Sequence, residues 1–158
     1  MESLPELRRF LASLPWVAAE QSVESSEVYC RNAKANFIAR KDLPFLMFDK
    51  STGQLVGATG LHRVQWDTVK AEIGYWVRLS QAGRGYVSEA VRRLATYAFE
   101  ELHAVRVEII TDSGNLASRK VADNCKFELE GVFRNDRRAP DGSLRNTCVY
   151  ACFPPPAP

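Results

Sequence analysis

The sequence has few of the residues that build metal centres or disulfide frameworks. Its 158 residues include two histidines and four cysteines. No cysteines follow the Cys-x-x-Cys spacing, and no histidine accompanies them at a zinc-type interval. This pattern predicts reduced thiols and no bound metal. Cys148 and Cys152 stand in an apolar run and are expected in the core.

The sequence also lacks a long apolar run and a large excess of charge of either sign. The formal net charge is +2, with 25% charged residues, so no electrostatic argument favours nucleic acid or a membrane surface as a partner. No run approaches the roughly 20 apolar residues of a membrane span. The first residues show no signal-peptide pattern. We therefore expect a cytoplasmic protein.

The remaining patterning predicts one α/β domain over residues 1–153, followed by a proline-rich, disordered tail at 154–158. Leucines at helical spacing predict a first helix that Pro15 closes. A second helix is expected from Ser22, with Tyr29, Ala33 and Phe37 as its buried stripe. Period-two segments then predict strands at 45–48, 54–64, 69–79, 105–111, 127–133 and 144–153.

The strand at 69–79 has the strictest alternation in the chain. Its odd positions are apolar, and Glu72 and Trp76 share the other face. It leads into the turn Gly83-Arg84-Gly85 and then an amphipathic helix at 87–102. The buried strand that follows predicts a βαβ unit with a parallel strand pair.

The turn at residues 83–85 has the character of a phosphate site. Two glycines before a helix let a ligand approach bare backbone N–H groups, and Arg84 adds a cation suited to phosphate oxygens. A dinucleotide fingerprint would need a third glycine where Ser88 stands, and the Gly-Lys-Ser/Thr of a P-loop is missing. The turn alone therefore indicates a phosphate-bearing cofactor of another kind.

Four motifs in order make the chain resemble the GNAT superfamily of acyl-CoA-dependent N-acyltransferases. They are EIGYWV at 72–77, GRGY with Glu89-Ala90, the Asn115-x-Ala117-Ser118-Arg119 segment, and FELEG at 127–131. The resemblance is to the RimJ/RimL branch, which acetylates ribosomal-protein N-termini. It implies a mixed, mostly antiparallel sheet with a splayed parallel pair and flanking helices.

The resemblance implies that acetyl-CoA or coenzyme A is the acyl-donor cosubstrate and that no metal takes part. Pyrophosphate would lie on the glycine loop, and pantetheine would run alongside the strand end near Trp76. Arg119 would reach a phosphate or be solvated. The residues expected to bind the cofactor are Trp76, Val77, Gln81, Ala82, Gly83, Arg84, Gly85, Tyr86, Asn115 and Arg119.

The resemblance also implies three chemical roles. Glu72 is the expected proton acceptor for the attacking amine, or else a surface carboxylate paired with Lys70 or Arg78. Ser118 is expected to assist the leaving thiolate with Asn115 orienting it, unless both merely cap a helix. A backbone N–H near Val77 would stabilise the carbonyl oxygen.

The acceptor is expected to be a primary amine, either a protein or peptide N-terminus or a small amine. Trp16, His62 and Trp66 are the candidate walls of its pocket. The alternatives are a small-molecule amine or antibiotic as acceptor, a longer acyl donor such as succinyl-CoA, and a non-catalytic acyl-CoA-binding module.

The chain departs from the family pattern at several positions. Ser80 and Ala82 replace basic or amide residues of the loop, and Lys126 stands where a glycine would form a left-handed cap. The strand that usually precedes the first helix in this family is missing. Either the chain is truncated, or that sheet edge is covered in another way, such as by the second subunit of a homodimer.

Overall fold

A computed structural model of the protein describes residues 3–11, 17, 20, 22–139 and 141–155. The helices are α1 (Leu4–Leu11), α2 (Val23–Ile38), α3 (Tyr86–Glu100) and α4 (Leu116–Asn124). The strands are β1 (Leu43–Phe48), β2 (Leu55–Gln65), β3 (Lys70–Val77), β4 (Arg106–Asp112), β5 (Glu128–Arg138) and β6 (Leu144–Cys152). None of the helices in these ranges is long and apolar enough to cross a membrane.

The six strands form one mixed sheet in the order β1-β2-β3-β4-β6-β5. All neighbours are antiparallel except β3 and β4, which are parallel because α3 carries the chain from one to the other. The predicted fold class is therefore confirmed. Asp49 closes the first hairpin by accepting hydrogen bonds from the backbone N–H groups of Ser51 and Thr52, both at 2.9 Å.

The parallel pair separates along its length. β3 and β4 pair only at Lys70–Arg106, Ala71–Val107 and Glu72–Glu108, and no further pair follows within the described residues. Both strands continue, β3 to Val77 and β4 to Asp112, so a gap opens between their carboxyl ends. The predicted splayed pair is confirmed.

The core lies between the sheet and helices α3 and α4. The apolar stripe of α3 contributes Val91, Leu94 and Ala98, which pack on the sheet face that carries Ile73 and Ile109. This face is referred to below as the inner face, and the opposite one, with Glu72 and Trp76, as the outer face. Cys148 is 1% exposed, as expected of a core residue, whereas Cys152 is partly exposed.

The prediction of a buried stripe on α2 is wrong. None of its residues is buried, and Tyr29 and Phe37 are 47% and 39% exposed. α2 contacts the sheet at its edge strand β1, where Phe37 meets the ring of Phe45 edge-on at 5.6 Å. An edge strand offers too little apolar surface to cover a helix face.

The chain adopts the left-handed conformation at Lys126 although no glycine stands there. Its φ is +63°, which costs a non-glycine residue about 1 kcal/mol. The turn lets Phe127 donate its N–H to the Ala122 carbonyl at 3.0 Å and enter the core at 5% exposure. Burial of the phenylalanine ring offsets the cost.

Candidate active site

The glycine turn presents bare backbone donors at the start of α3. Gly83 and Gly85 have φ values of +75° and +86°, and Gly85 is the N-cap residue with no side-chain cap. Within the described residues, the backbone N–H groups of residues 83–88 donate no hydrogen bond. A Cβ at either glycine would meet no atom within 4 Å, so the space before the turn is open. This arrangement fits an anionic ligand such as pyrophosphate.

The side chains of the turn are held by its own neighbours and by the first hairpin. Arg84 donates to the Gln81 Oε1 atom and lies 5.3 Å from the centre of the Tyr86 ring. The Tyr86 hydroxyl donates to the carboxylate of Asp49 in the β1–β2 turn. The hydrogen bonds that the Asp49 carboxylate accepts from Ser51 and Tyr86 hold the pKa of this carboxyl well below its usual range. The turn between β1 and β2 therefore braces the loop.

Glu72 lies on the outer face, at the last position of β3 that pairs with β4. Its carboxylate forms an ion pair with Arg63 of β2. Arg63 is a partner that the sequence did not suggest, since Lys70 and Arg78 were the cations expected beside Glu72. The register of β2 and β3 shifts between His62 and Gln65, and Arg63 has a φ of +49°. This bulge turns Arg63 toward Glu72.

His62 also lies on the outer face, directly opposite Glu72 in the register. Its Nδ1 atom is 3.3 Å from Oδ1 of Asp42. Two glycines make room for the ring, since a Cβ at Gly74 would stand 2.8 Å from its Cδ2 atom and one at Gly60 would stand 3.0 Å from Nε2.

Trp66 and Trp16 are the other two residues expected to line the acceptor pocket. Trp66 donates its Nε1–H to the Arg40 carbonyl at 2.8 Å, and the Arg40 guanidinium lies 4.0 Å from its ring centre. Trp66 and His62 thus contact the same segment, residues 40–42. Trp16 lies outside the described residues.

Ser118 and Asn115 lie at the start of α4, on the inner side of the gap. The Asn115 side chain accepts the Ser118 N–H at 3.1 Å, so the capping role expected for asparagine is present. The Ser118 hydroxyl is 2.8 Å from the Tyr75 hydroxyl, and Ser118 is 9% exposed. Burial raises the pKa of Tyr75 to about 12, so this phenol stays protonated at neutral pH. The contact links β3 to the helix that follows β4.

Arg119, a candidate phosphate ligand, has protein partners in the structure. Its Nε–H donates to the Tyr150 hydroxyl at 3.1 Å, and an Nη1–H donates to the Ser113 carbonyl at 3.3 Å. Its pKa is raised, chiefly by the hydrogen bond to Tyr150. These contacts attach the first turn of α4 to β6 and to the loop that ends β4.

A cavity of about 310 Å³ lies where β4 ends, beside the β5–β6 hairpin. Its lining is polar, and Asp112, which is 6% exposed, supplies the carboxylate. The carboxylate accepts the Gly114 N–H at 2.7 Å and faces Arg145 at 3.4 Å. The Phe10 ring of α1 covers this side, 5.6 Å from the Arg145 guanidinium.

Four neighbours of the predicted site residues were not singled out from the sequence. Asp42, Asp49 and Tyr75 each contact a predicted site residue from a distant part of the chain, and Arg63 contacts one from the neighbouring strand. Only Tyr75 left a signal, because its odd position in β3 places a hydroxyl among core residues that cannot satisfy it. Within the described residues, no group of three His, Cys, Asp or Glu side chains could hold a metal ion.

Comparison with known proteins agrees with this architecture. Residues 1–128 match the model of the acetyltransferase (GNAT) domain. The Bacillus subtilis protein YdaF is 42% identical over 90 residues, which cover 57% of this chain and 48% of YdaF. The Escherichia coli ribosomal-protein-serine acetyltransferase is 28% identical over 125 residues, which cover 77% of this chain and 67% of that protein.

A solved structure shares the fold across the chain. It is RimL, a ribosomal L7/L12 alpha-N-protein acetyltransferase in complex with coenzyme A, with a TM-score of 0.86 at 22% identity, covering 96% of this chain and 82% of that one. The chain spans about half the length of the curated relatives it matches first, such as 48% of YdaF. The match of the domain model over most of the sequence shows that the chain belongs to the GNAT acetyltransferase family.

Proposed function

We propose that this protein is an acetyl-CoA-dependent N-acetyltransferase that acetylates a primary amine, with a protein or peptide N-terminus as its acceptor. The observation that carries the proposal is the gap between β3 and β4, with open backbone donors at one end and Ser118 beside it. Membership in the family supports the reaction type.

The residues present fit coenzyme A. Backbone N–H groups of residues 83–88 would hold the pyrophosphate, aided by the positive end of the α3 dipole. The unpaired edges of β3 and β4 would hold the pantetheine chain through backbone hydrogen bonds. The donor supplies an activated acetyl thioester. Ser118 would donate a hydrogen bond to the departing sulfur, and Asn115 keeps its helix turn in place.

The acceptor would approach from the outer face. Glu72 and His62 lie on that side of the sheet, opposite α3 and α4. A protein N-terminus is favoured because two relatives are named for ribosomal proteins, the Escherichia coli enzyme and RimL. A homodimer that covers edge strand β1, where Leu46 and Phe48 are exposed, belongs to the same proposal.

The test is a panel of N-terminal peptides and small amines incubated with acetyl-CoA, with free thiol followed over time. The proposal predicts thiol release that depends on the acceptor and is faster with peptides than with small amines. Faster release with a small amine would favour the small-molecule alternative. Coenzyme A that raises the melting temperature without any turnover would favour a non-catalytic binding module.

A further inference from the structure

We infer that His62, held by Asp42, accepts the proton from the attacking amine. The inference rests on the proposed function and names a residue for one of its steps. His62 takes the proton from the amine on the outer face of the sheet, while Ser118 assists the departing sulfur on the inner face. Glu72, the proton acceptor expected from the sequence, is the alternative that the test must distinguish from His62.

The hydrogen bond to Asp42 fixes which nitrogen of His62 is available. A carboxylate only accepts hydrogen bonds, so the Nδ1 atom 3.3 Å away must carry the hydrogen. The Nε2 atom of the neutral ring then keeps its lone pair. Within the described residues, Nε2 has no hydrogen-bond partner. An oriented imidazole with a free Nε2 is the arrangement of a general base.

The ring lies on the outer face against Gly60 of β2 and Gly74 of β3. His62 is opposite Glu72, the last residue of β3 that pairs with β4, and the ring extends over Gly74 beyond that pair. The next residue, Tyr75, points to the inner face and meets Ser118. A thioester in the gap would therefore have His62 on one side and Ser118 on the other.

Glu72 is less suited to the step because its charge is already engaged. Its carboxylate is paired with Arg63, and the side chain is 16% exposed. Glu108, the next carboxylate in the register, is paired with Arg106 at 2.6 Å. Along the register from His62, the charged groups are Glu72 with its partner Arg63, then Glu108 with its partner Arg106. Within the described residues, the charged group in contact with the ring is Asp42.

The step balances without a further reactant. The amine nitrogen forms a bond to the acetyl carbon and loses one proton to Nε2 of His62. The carbon–sulfur bond breaks, and its electron pair leaves with the sulfur, which Ser118 stabilises by a hydrogen bond. The imidazolium, stabilised by Asp42, then returns its proton to solvent, from which the thiolate takes one up.

Replacing His62 with asparagine removes the Nε2 atom but keeps the contact with Asp42, because the asparagine amide nitrogen can still donate a hydrogen bond to the carboxylate. The matched control is His103→Asn at the exposed second histidine, where asparagine tolerates the φ of +57°. We expect His62→Asn to lower kcat about 100-fold, with the dissociation constant for coenzyme A unchanged. His103→Asn should leave both as in the wild type.

The pH profile separates the two candidate bases. Only a neutral imidazole ring accepts a proton, so a histidine base makes kcat/KM depend on pH. This dependence should give an inflection in the wild type and in Glu72→Gln, and the inflection should vanish in His62→Asn. An unchanged profile in His62→Asn, with the inflection lost in Glu72→Gln, would overturn the inference.

Nitrogen-15 NMR of histidine-labelled protein gives a readout that needs no turnover. The two histidines are assigned with His103→Asn, and His62 should show a protonated Nδ1 and a bare Nε2 at high pH. Asp42→Ala, which removes the acceptor oxygen, should release this tautomer. Protonation at Nε2 in the wild type would refute the inference even if acetyl transfer is efficient. Failure of the proposed function would appear instead as absent thiol release with the tautomer intact.

Discussion

The hydroxyl of Tyr75 lies 2.8 Å from the hydroxyl of Ser118, although the two residues are 43 positions apart in the sequence. Tyr75 belongs to β3, and Ser118 belongs to the helix that follows β4. The hydrogen bond therefore links β3 to α4 on the inner side of the gap between β3 and β4. It also leaves the Ser118 hydrogen free for another acceptor whenever Tyr75 is the donor.

Replacing Tyr75 with phenylalanine should slow transfer without weakening the binding of the acyl donor. Loss of a hydrogen bond worth about 1 kcal/mol lets Ser118 turn toward the carbonyl of its own helix, so kcat should fall about five- to tenfold. Steady-state kinetics measure kcat and the KM for acetyl-CoA separately. The control is a double-mutant cycle, in which the loss of kcat in Tyr75→Phe is measured with Ser118 present and with Ser118→Ala. Independent effects of the two variants would contradict the coupling.

The same phenol makes the stability of the protein depend on alkaline pH. Burial raises the pKa of Tyr75 to about 12, above the value near 10 of an unfolded chain. Its contribution to the free energy of unfolding is present below pH 10 and is lost as the pH rises toward 12, by up to about 2–3 kcal/mol. Urea titrations at pH 8 to 12 should show a smaller loss in Tyr75→Phe than in the wild type. An equal loss would place the phenol in solvent.

A side chain at Gly85 should impair cofactor binding. Gly85 has a φ of +86°, so Gly85→Ala costs about 1 kcal/mol of stability and places a methyl group before the first N–H groups of α3. Gly142→Ala is the matched control, because Gly142 has a φ of +85° in the turn before β6 and an equally open surrounding. Calorimetric titration with coenzyme A should show weaker binding for Gly85→Ala alone. Equal affinity in both variants would contradict the assignment of the loop.

Asp49 should stabilise the protein through its charge. Its hydrogen bonds to Ser51, Tyr86 and Thr52 lower the pKa of the carboxyl below the value near 4 of an unfolded chain. The stabilisation is present above pH 4 and is lost as the pH falls further. Thermal unfolding should show a lower Tm for Asp49→Asn at pH 7 and a smaller change for this variant between pH 5 and pH 2. A wild-type Tm at pH 7 would contradict the role.

Local periodicity in the sequence was enough to predict the helices and strands that bury one face in the core. The alternation in β3 and the stripe of α3 are dictated by contact with one core, so the strand, the turn and the parallel pair could be predicted. The same reasoning failed for α2, because its apolar residues face an edge strand. Apolar spacing indicates a helix face but does not say whether anything covers it.

The partners of the site residues could not be predicted for a different reason. Glu72 pairs with Arg63 because a bulge in β2 turns Arg63 to the face of the sheet that carries Glu72. A prediction from period-two alternation assumes a strand without a bulge. The contacts of His62 with Asp42 and of Tyr86 with Asp49 depend on where loops lie in space. Asn115, by contrast, caps α4 as its residue type favours, because capping is a local property.

The most direct test of the account is to count products of one reaction. Wild-type protein is incubated with acetyl-CoA and an acceptor peptide, free thiol is measured, and the masses of peptide and protein are determined. Direct transfer predicts one acetylated N-terminus for each thiol released, with no acetyl group retained on the protein. Thiol release without an acetylated amine, or an acetyl group carried on a side chain of the protein, would contradict it.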